Sequence, residues 1–314
     1  MDKAKPVLLS VAHLPDFLTG RLREAFAYHD RVHESDPKAF DAIAPAIRGI
    51  VSSGEGRVSR ALLERLPGLE IISVFGVGYD GVDVPATRER GLIVTNTPDV
   101  LTDDVADLAI GLMLAVSRQI PGADRYVRSG QWPKGPYRLT RKVSGARLGI
   151  FGLGRIGSAI AQRAEGFGMQ IAYTDPTQKA VSYTYYDSAL ALAKNVDFFI
   201  VSAYGGPATK GLINAEILAA LGPEGTLINI ARGSVVEEKA LVAALQSGQL
   251  GGAGLDVFVD EPNVPSELLS MDNAVLTPHM ASGTWQTRKA MADLAFANLE
   301  AHFAGKPVLT PIPQ

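Results

Sequence analysis

From residue 146 onward, short apolar runs and helix-length segments alternate without a break. The runs fall at 147–151, 169–174, 196–202, 225–230, 252–257 and 273–277, with helical patterns between them. Parallel strands joined by crossover helices are covered on both faces, so such runs read as continuously apolar. This alternation restricts the second half of the chain to a parallel, doubly wound sheet. The first part repeats the pattern less evenly. Strands are expected at 7–12, 49–53, 70–76 and 92–96, and helices at 15–28, 59–68, 83–91 and 101–120. Ser59 and Asp83 stand where a helix needs an N-cap. Residues 126–145, which include Trp132, lose all periodicity, and an irregular excursion of this length reads as an arm that packs on a second subunit.

The expected fold class is α/β, with two doubly wound parallel-sheet domains, one of them a Rossmann-type dinucleotide-binding domain. Residues 1–98 with 286–314 would form a substrate-binding domain, because the last long helix, 284–305, can cross back to it. Residues 99–285 would form the nucleotide-binding domain, carrying the arm near 120–145. The substrate is expected in the cleft between the two.

Composition removes several alternatives. The net charge of −3 gives no footprint for nucleic acid, and no basic run suggests a membrane surface. The chain has no cysteine, which excludes disulfides, thiolate metal sites and a cysteine nucleophile. No metal is expected. No apolar run reaches spanning length, and residues 1–11 read as a first strand rather than a signal peptide. A cytoplasmic protein is the default.

The stretch Gly149–Ala161, GIFGLGRIGSAIA, contains the glycines Gly152, Gly154 and Gly157. The first permits a tight turn, the second lets a pyrophosphate approach the backbone, and the third lets helix pack on strand. The following strand ends at Asp175, whose carboxylate can accept hydrogen bonds from a ribose diol. Three further residues each stand just past an expected strand: Arg232, Glu261 and His279. Together they supply a cation for a carboxylate, a titratable acid/base and a carboxylate to orient it. Singly, each has a structural reading as a turn, corner or cap residue. Asp103 and Asp104 are read as charges at a helix N-terminus rather than as paired catalytic acids.

The stretches GIFGLGRIG, LINIARGSVV, GLDVFVDEP and TPHMASGT, with FGVGYDGVD and TDDVADLAIGLML upstream, resemble the D-isomer-specific 2-hydroxyacid dehydrogenase family. The match runs in order over essentially the whole chain, and it is most similar to the glyoxylate/hydroxypyruvate and hydroxyphenylpyruvate reductase branch. The resemblance implies a homodimer that reduces a small 2-oxo acid with NAD(P)H. It implies that Arg232 binds the substrate carboxylate and that His279, backed by Glu261, is the acid/base. Ser53, Val77, Gly78 and Ser282 would line the substrate with them. Arg155, Ile156, Ser202, Ala203, Thr209, Ile230, Ala231, Asp256 and Ser282 would join the glycines, Asp175, Arg232 and His279 around the cofactor.

The chain departs from the branch at Asp175-Pro176, where NADP-linked members carry an arginine, so NADH is expected to be preferred. Lys179 nearby leaves NADPH open. The VVEE stretch, Val235–Glu238, carries glutamate where the family usually has aspartate, a conservative change. The resemblance also leaves a non-enzymatic, NAD-sensing protein of the same fold as an alternative.

Overall fold

The structure, a computed structural model, describes residues 5–54 and 56–313. Residues 1–4, included in the expected first strand, lie outside them. The chain divides into two compact units, Met1–Leu101 with Thr284–Gln314, and Thr102–Gly283. The sequence expectation put these breaks at 98/99 and 285/286.

The first unit runs β1 (Val7–Ser10), α1 (Asp16–Ala25), β2 (Ala27–Asp30), α2 (Val32–Ser35), α3 (Pro37–Ile43), β3 (Ile47–Ser53), α4 (Arg60–Glu64), β4 (Ile71–Phe75), α5 (Val84–Glu89) and β5 (Ile93–Thr95). Its strands are all parallel, in the order β2-β1-β3-β4-β5. Leu9, Ile50, Ile72 and Val74 from the three inner strands share one core with Phe40 of α3. Ser59 and Asp83 cap α4 and α5 through the amides of Leu62 (3.3 Å) and Ala86 (2.9 Å). The helix expected over 15–28 is shorter. Phe26 is buried but extended, at φ −130° and ψ 163°, and the chain goes straight into edge strand β2. The apolar spacing that suggested a longer helix is met by this burial. Helices α2 and α3 were not anticipated.

The second unit runs α6 (Thr102–Ser117), α7 (Ile120–Arg128), β6 (Arg147–Phe151), α8 (Arg155–Glu165), β7 (Gln170–Thr174), β8 (Thr184–Tyr185), α9 (Ala189–Ala193), β9 (Phe198–Val201), α10 (Ala215–Leu221), β10 (Thr226–Asn229), α11 (Glu238–Gln246), β11 (Gly252–Leu255) and β12 (Ala274–Leu276). Its seven strands are parallel, in the order β12-β11-β10-β9-β6-β7-β8. The order reverses at β6 and β9, the switch point at which open α/β sheets bind ligands beyond their carboxyl ends. The central strand β9, Phe-Phe-Ile-Val, is buried along its whole length. The single helix expected over 101–120 is two, because Gln119 adopts φ +53° and starts α7 in a new direction. Helix α7 thus occupies the first residues of the arm, and a 3-10 turn follows at Trp132–Lys134. Asp103, at the start of α6, pairs with Arg163 of α8 at 3.0 Å.

The last helix, α12 (Trp285–Phe303), belongs to the first unit and is capped by Thr284. Phe296 and Phe303 pack on Phe26, with ring centroids 5.9 and 5.6 Å away. Asn298 is fully buried and uses every hydrogen-bonding site of its amide. Its Oδ1 accepts from Leu309 N (2.9 Å) and Thr310 N (3.1 Å), and its Nδ2 donates to Leu294 O (2.9 Å) and Thr310 Oγ1 (2.8 Å). The tail so held lies along β5, where Ile312 N donates to Val94 O at 2.9 Å.

Candidate active site

Strand β6 ends in the glycine turn. Gly152 has φ +95°, and a Cβ there would lie 2.6 Å from Ala203 Cα. A Cβ on Gly157 would lie 2.2 Å from the Gly152 carbonyl oxygen. Ser202, just past β9, donates its hydroxyl to that same oxygen at 2.8 Å and pins the turn. Gly154 is different. Its φ is −83°, and no atom lies within 4 Å of the place its Cβ would take. Packing within the chain therefore explains Gly152 and Gly157 but not Gly154. An open backbone at the head of α8, with no side chain capping that helix, fits a dinucleotide whose phosphates meet the first helical amides. Arg155 and Ile156 form the first turn of α8 beside it. Asp175, just past β7, accepts from Leu153 N through Oδ2 (3.0 Å) and pairs with Lys179 through Oδ1 (3.3 Å). Thr209 closes the loop after β9 by donating to Tyr204 O at 2.8 Å.

Arg232, Glu261 and His279 follow β10, β11 and β12, three neighbouring strands, at their carboxyl ends. Ile230 is buried and Ala231 half-buried on the approach to Arg232. Asn229 shapes this turn. It is buried, accepts from Ala231 N (3.1 Å) and donates to Arg232 O (2.9 Å). The stem of Arg232 runs where a Cβ on Gly205 would be, 2.6 Å from Arg232 Cγ. Gly233 brings the turn against the loop after β11, since its Cβ would overlap the Phe258 carbonyl.

On that loop Glu261 Oε1 accepts from Phe258 N (2.8 Å), and Oε2 lies 2.6 Å from His279 Nδ1. The hydrogen bond to Glu261 raises the His279 pKa, reinforced by the carboxylate charge and opposed by burial and by Arg232. Burial works to raise the Glu261 pKa. The His279 hydrogen bond, the Phe258 amide and the charges of His279 and Arg232 outweigh it and hold Glu261 below the usual carboxylate range.

His279 sits at φ +49°, in the left-handed region that non-glycine residues seldom occupy. Asp256 holds it there. This carboxylate is fully buried and accepts from Thr277 Oγ1 (2.6 Å), Met280 N (2.8 Å) and Ala281 N (2.9 Å), while its backbone oxygen accepts from His279 N (2.8 Å). Ser282 follows on the same loop, half-buried. Ser53, at the end of β3, and Val77 and Gly78, after β4, belong to the first unit, where Val77 O accepts from Asn96 Nδ2 at 2.9 Å.

The sequence reading missed Asn229 and Thr277, and it missed Glu238, which accepts from Val259 N at 3.0 Å and tethers the Glu261 loop to α11. The one signal for Asn229 was a lone polar residue inside an apolar run. Among the described residues no group of three or more His, Asp or Glu could hold a metal ion, and no helix is long and apolar enough to cross a membrane.

Residues 110–281 match the family model described as D-isomer specific 2-hydroxyacid dehydrogenase, NAD binding domain. Hydroxyphenylpyruvate reductase of Plectranthus scutellarioides is 54% identical over 270 residues, covering 86% of this chain and 86% of that protein. Glyoxylate/hydroxypyruvate reductase A of Arabidopsis thaliana is 51% identical over 268 residues, covering 85% and 86%. The crystal structure of an NADPH-dependent glyoxylate/hydroxypyruvate reductase from Sinorhizobium meliloti, in complex with NADP and malonate, superposes with a TM-score of 0.93 at 45% identity, covering 98% of this chain and 97% of that one.

Proposed function

We propose that this chain, which belongs to the D-isomer-specific 2-hydroxyacid dehydrogenase family and is an NAD(P)-dependent 2-oxoacid reductase, reduces glyoxylate, hydroxypyruvate or an aryl pyruvate to the D-2-hydroxy acid, with NADH preferred. Being an enzyme sets the NAD-sensing alternative aside. The observation that carries the reading is the 2.6 Å contact of His279 with Glu261, on the loops after β12 and β11, with Arg232 following the next strand, β10.

Gly152, Gly154, Arg155, Ile156 and Gly157 would hold the dinucleotide phosphates and Asp175 the adenosine ribose. Ser202, Ala203, Thr209, Ile230, Ala231 and Ser282 would complete that surface, with Asp256 buried beneath it. When bound, the reduced nicotinamide supplies a hydride to the 2-oxo carbon. Arg232 clamps the substrate carboxylate by paired, charge-assisted hydrogen bonds, with Ser53, Val77, Gly78 and Ser282 as further substrate contacts. His279, as imidazolium, gives its Nε2 proton to the carbonyl oxygen as that oxygen gains charge. Glu261 stabilises the imidazolium through Nδ1 and fixes the ring's orientation.

NADH preference is supported by the Asp175 carboxylate, which can accept from a ribose hydroxyl and repels a phosphate placed there. A homodimer is supported by the arm. Helix α7 buries none of its side chains, while Trp132 is 65% and Leu139 99% exposed. Apolar groups presented together in this way fit a second copy of the chain. A cytoplasmic location is part of the same reading.

The test is nucleotide consumption with the three 2-oxo acids and both cofactors. Absence of turnover with all of them sinks the substrate proposal, and a higher kcat/KM with NADPH sinks the NADH preference. Sedimentation of wild type and Trp132→Ala tests the dimer, and a fully active wild-type monomer removes it.

A further inference from the structure

The loop from Asp175 to Tyr183, between β7 and β8, is fastened by two tyrosines. Tyr173 is fully buried, and its phenol oxygen accepts from Lys179 N at 2.7 Å and donates to Lys179 O at 3.3 Å. Tyr185 packs on Tyr173 with centroids 5.4 Å apart and donates to Asp175 O at 3.3 Å. Both ends of the Asp175–Lys179 stretch are therefore fixed through their backbones. The Lys179 ammonium consequently stands 3.3 Å from Asp175 Oδ1, while Oδ2 is occupied by the Leu153 amide. The side chain of Asp175 is 13% exposed and that of Lys179 40%, so the cation is the more accessible member of the pair.

We propose that Lys179, placed by the buried Tyr173 hydroxyl, is a specificity-determining residue that neutralises Asp175 and admits a 2′-phosphorylated dinucleotide alongside the unphosphorylated one. The inference rests on the reading above that Asp175 meets the ribose. A bare carboxylate repels a phosphate. A lysine 3.3 Å away offsets part of that repulsion and adds its own attraction for the phosphate. The Tyr173 clamp matters because a lysine on a free loop loses more entropy on ordering than one whose backbone is already fixed.

The experiment is calorimetric titration of the unloaded protein with NAD+ and NADP+, for wild type, Lys179→Gln, Lys179→Arg and Tyr173→Phe. The ratio of the two Kd values, NADP+ over NAD+, should rise about tenfold in Lys179→Gln. It should stay near wild type in Lys179→Arg and rise less in Tyr173→Phe. An unchanged ratio in Lys179→Gln overturns the inference whatever the other variants do. That result would leave the NADH preference standing. A wild type that turns over faster with NADPH would remove the preference and leave the expected sign of the Lys179→Gln effect intact.

Discussion

Each unit buries one polar side chain that ties down a returning segment: Asn298 in the first, Asp256 in the second. Asn298 is neutral, and its four hydrogen bonds hold the C-terminal tail. Asp256 is the one charged side chain in the buried set of the described residues, and its carboxylate is met by a hydroxyl and two amides. Burying a carboxylate costs more than burying an amide, and neutral donors offset only part of it. An amide at position 298 therefore suits a purely structural tie. A charge at 256 does a second thing, because it also favours the protonated form of His279. The strand ends differ in the same sense. In the first unit, Ser53, Val77 and Gly78 offer hydroxyl and backbone groups. In the second, Arg232, Glu261 and His279 offer charges.

Three substitutions test this division. His279→Ala should cost about 10²-fold or more in reduction, with NADH affinity nearly unchanged. Normal turnover would take His279 out of the mechanism. Asn298→Ala strands the Leu309 and Thr310 amides, and should lower stability by about 2–4 kcal/mol in urea denaturation. Its pH–rate profile should match wild type, and a displaced profile would deny that the tie is only structural. Asp256→Asn should cost about tenfold in kcat/KM.

The pH profile of Asp256→Asn carries the sign. If His279 is the proposed acid, wild-type reduction should fall as pH rises through the raised His279 pKa, and the reverse oxidation should rise over the same range. Removing the Asp256 charge lowers that pKa and should bring the fall to lower pH. The same raised pKa makes the His279–Glu261 pair stabilising below the unfolded histidine pKa, an advantage lost as pH climbs past the folded value. An Asp256→Asn profile that coincides with wild type would reduce Asp256 to the same status as Asn298.

The glycine turn and the three strand-end positions were legible because each sits close to where an apolar run stops, and a parallel strand covered on both faces reads as such a run. Strand β2 was not. Phe26 continues the helical spacing of α1, and no glycine or proline separates Ala25 from Ala27. Strand β8 is two residues long and leaves no periodic trace. The role of Thr277 depends on a hydrogen bond to Asp256 that only the folded sheet brings near, and that of Asn229 on a local turn that residue type alone could not announce.

The tail tied by Asn298 has a consequence for the order in which the protein is made. The second unit is one continuous stretch, Thr102–Gly283, and can close as soon as it leaves the ribosome. The first unit cannot. Phe26 must wait for Phe296 and Phe303, and the edge of β5 must wait for Ile312, some 220 residues after the unit's own strands have been synthesised. Through that interval its five-stranded sheet stands uncovered by α12, as the part of the nascent chain most in need of a chaperone. A ribosome-bound chain stalled with residue 283 outside the exit tunnel should show protease protection over 102–283 and cleavage within 7–95. Equal protection of both segments would mean that the first unit closes without its last helix.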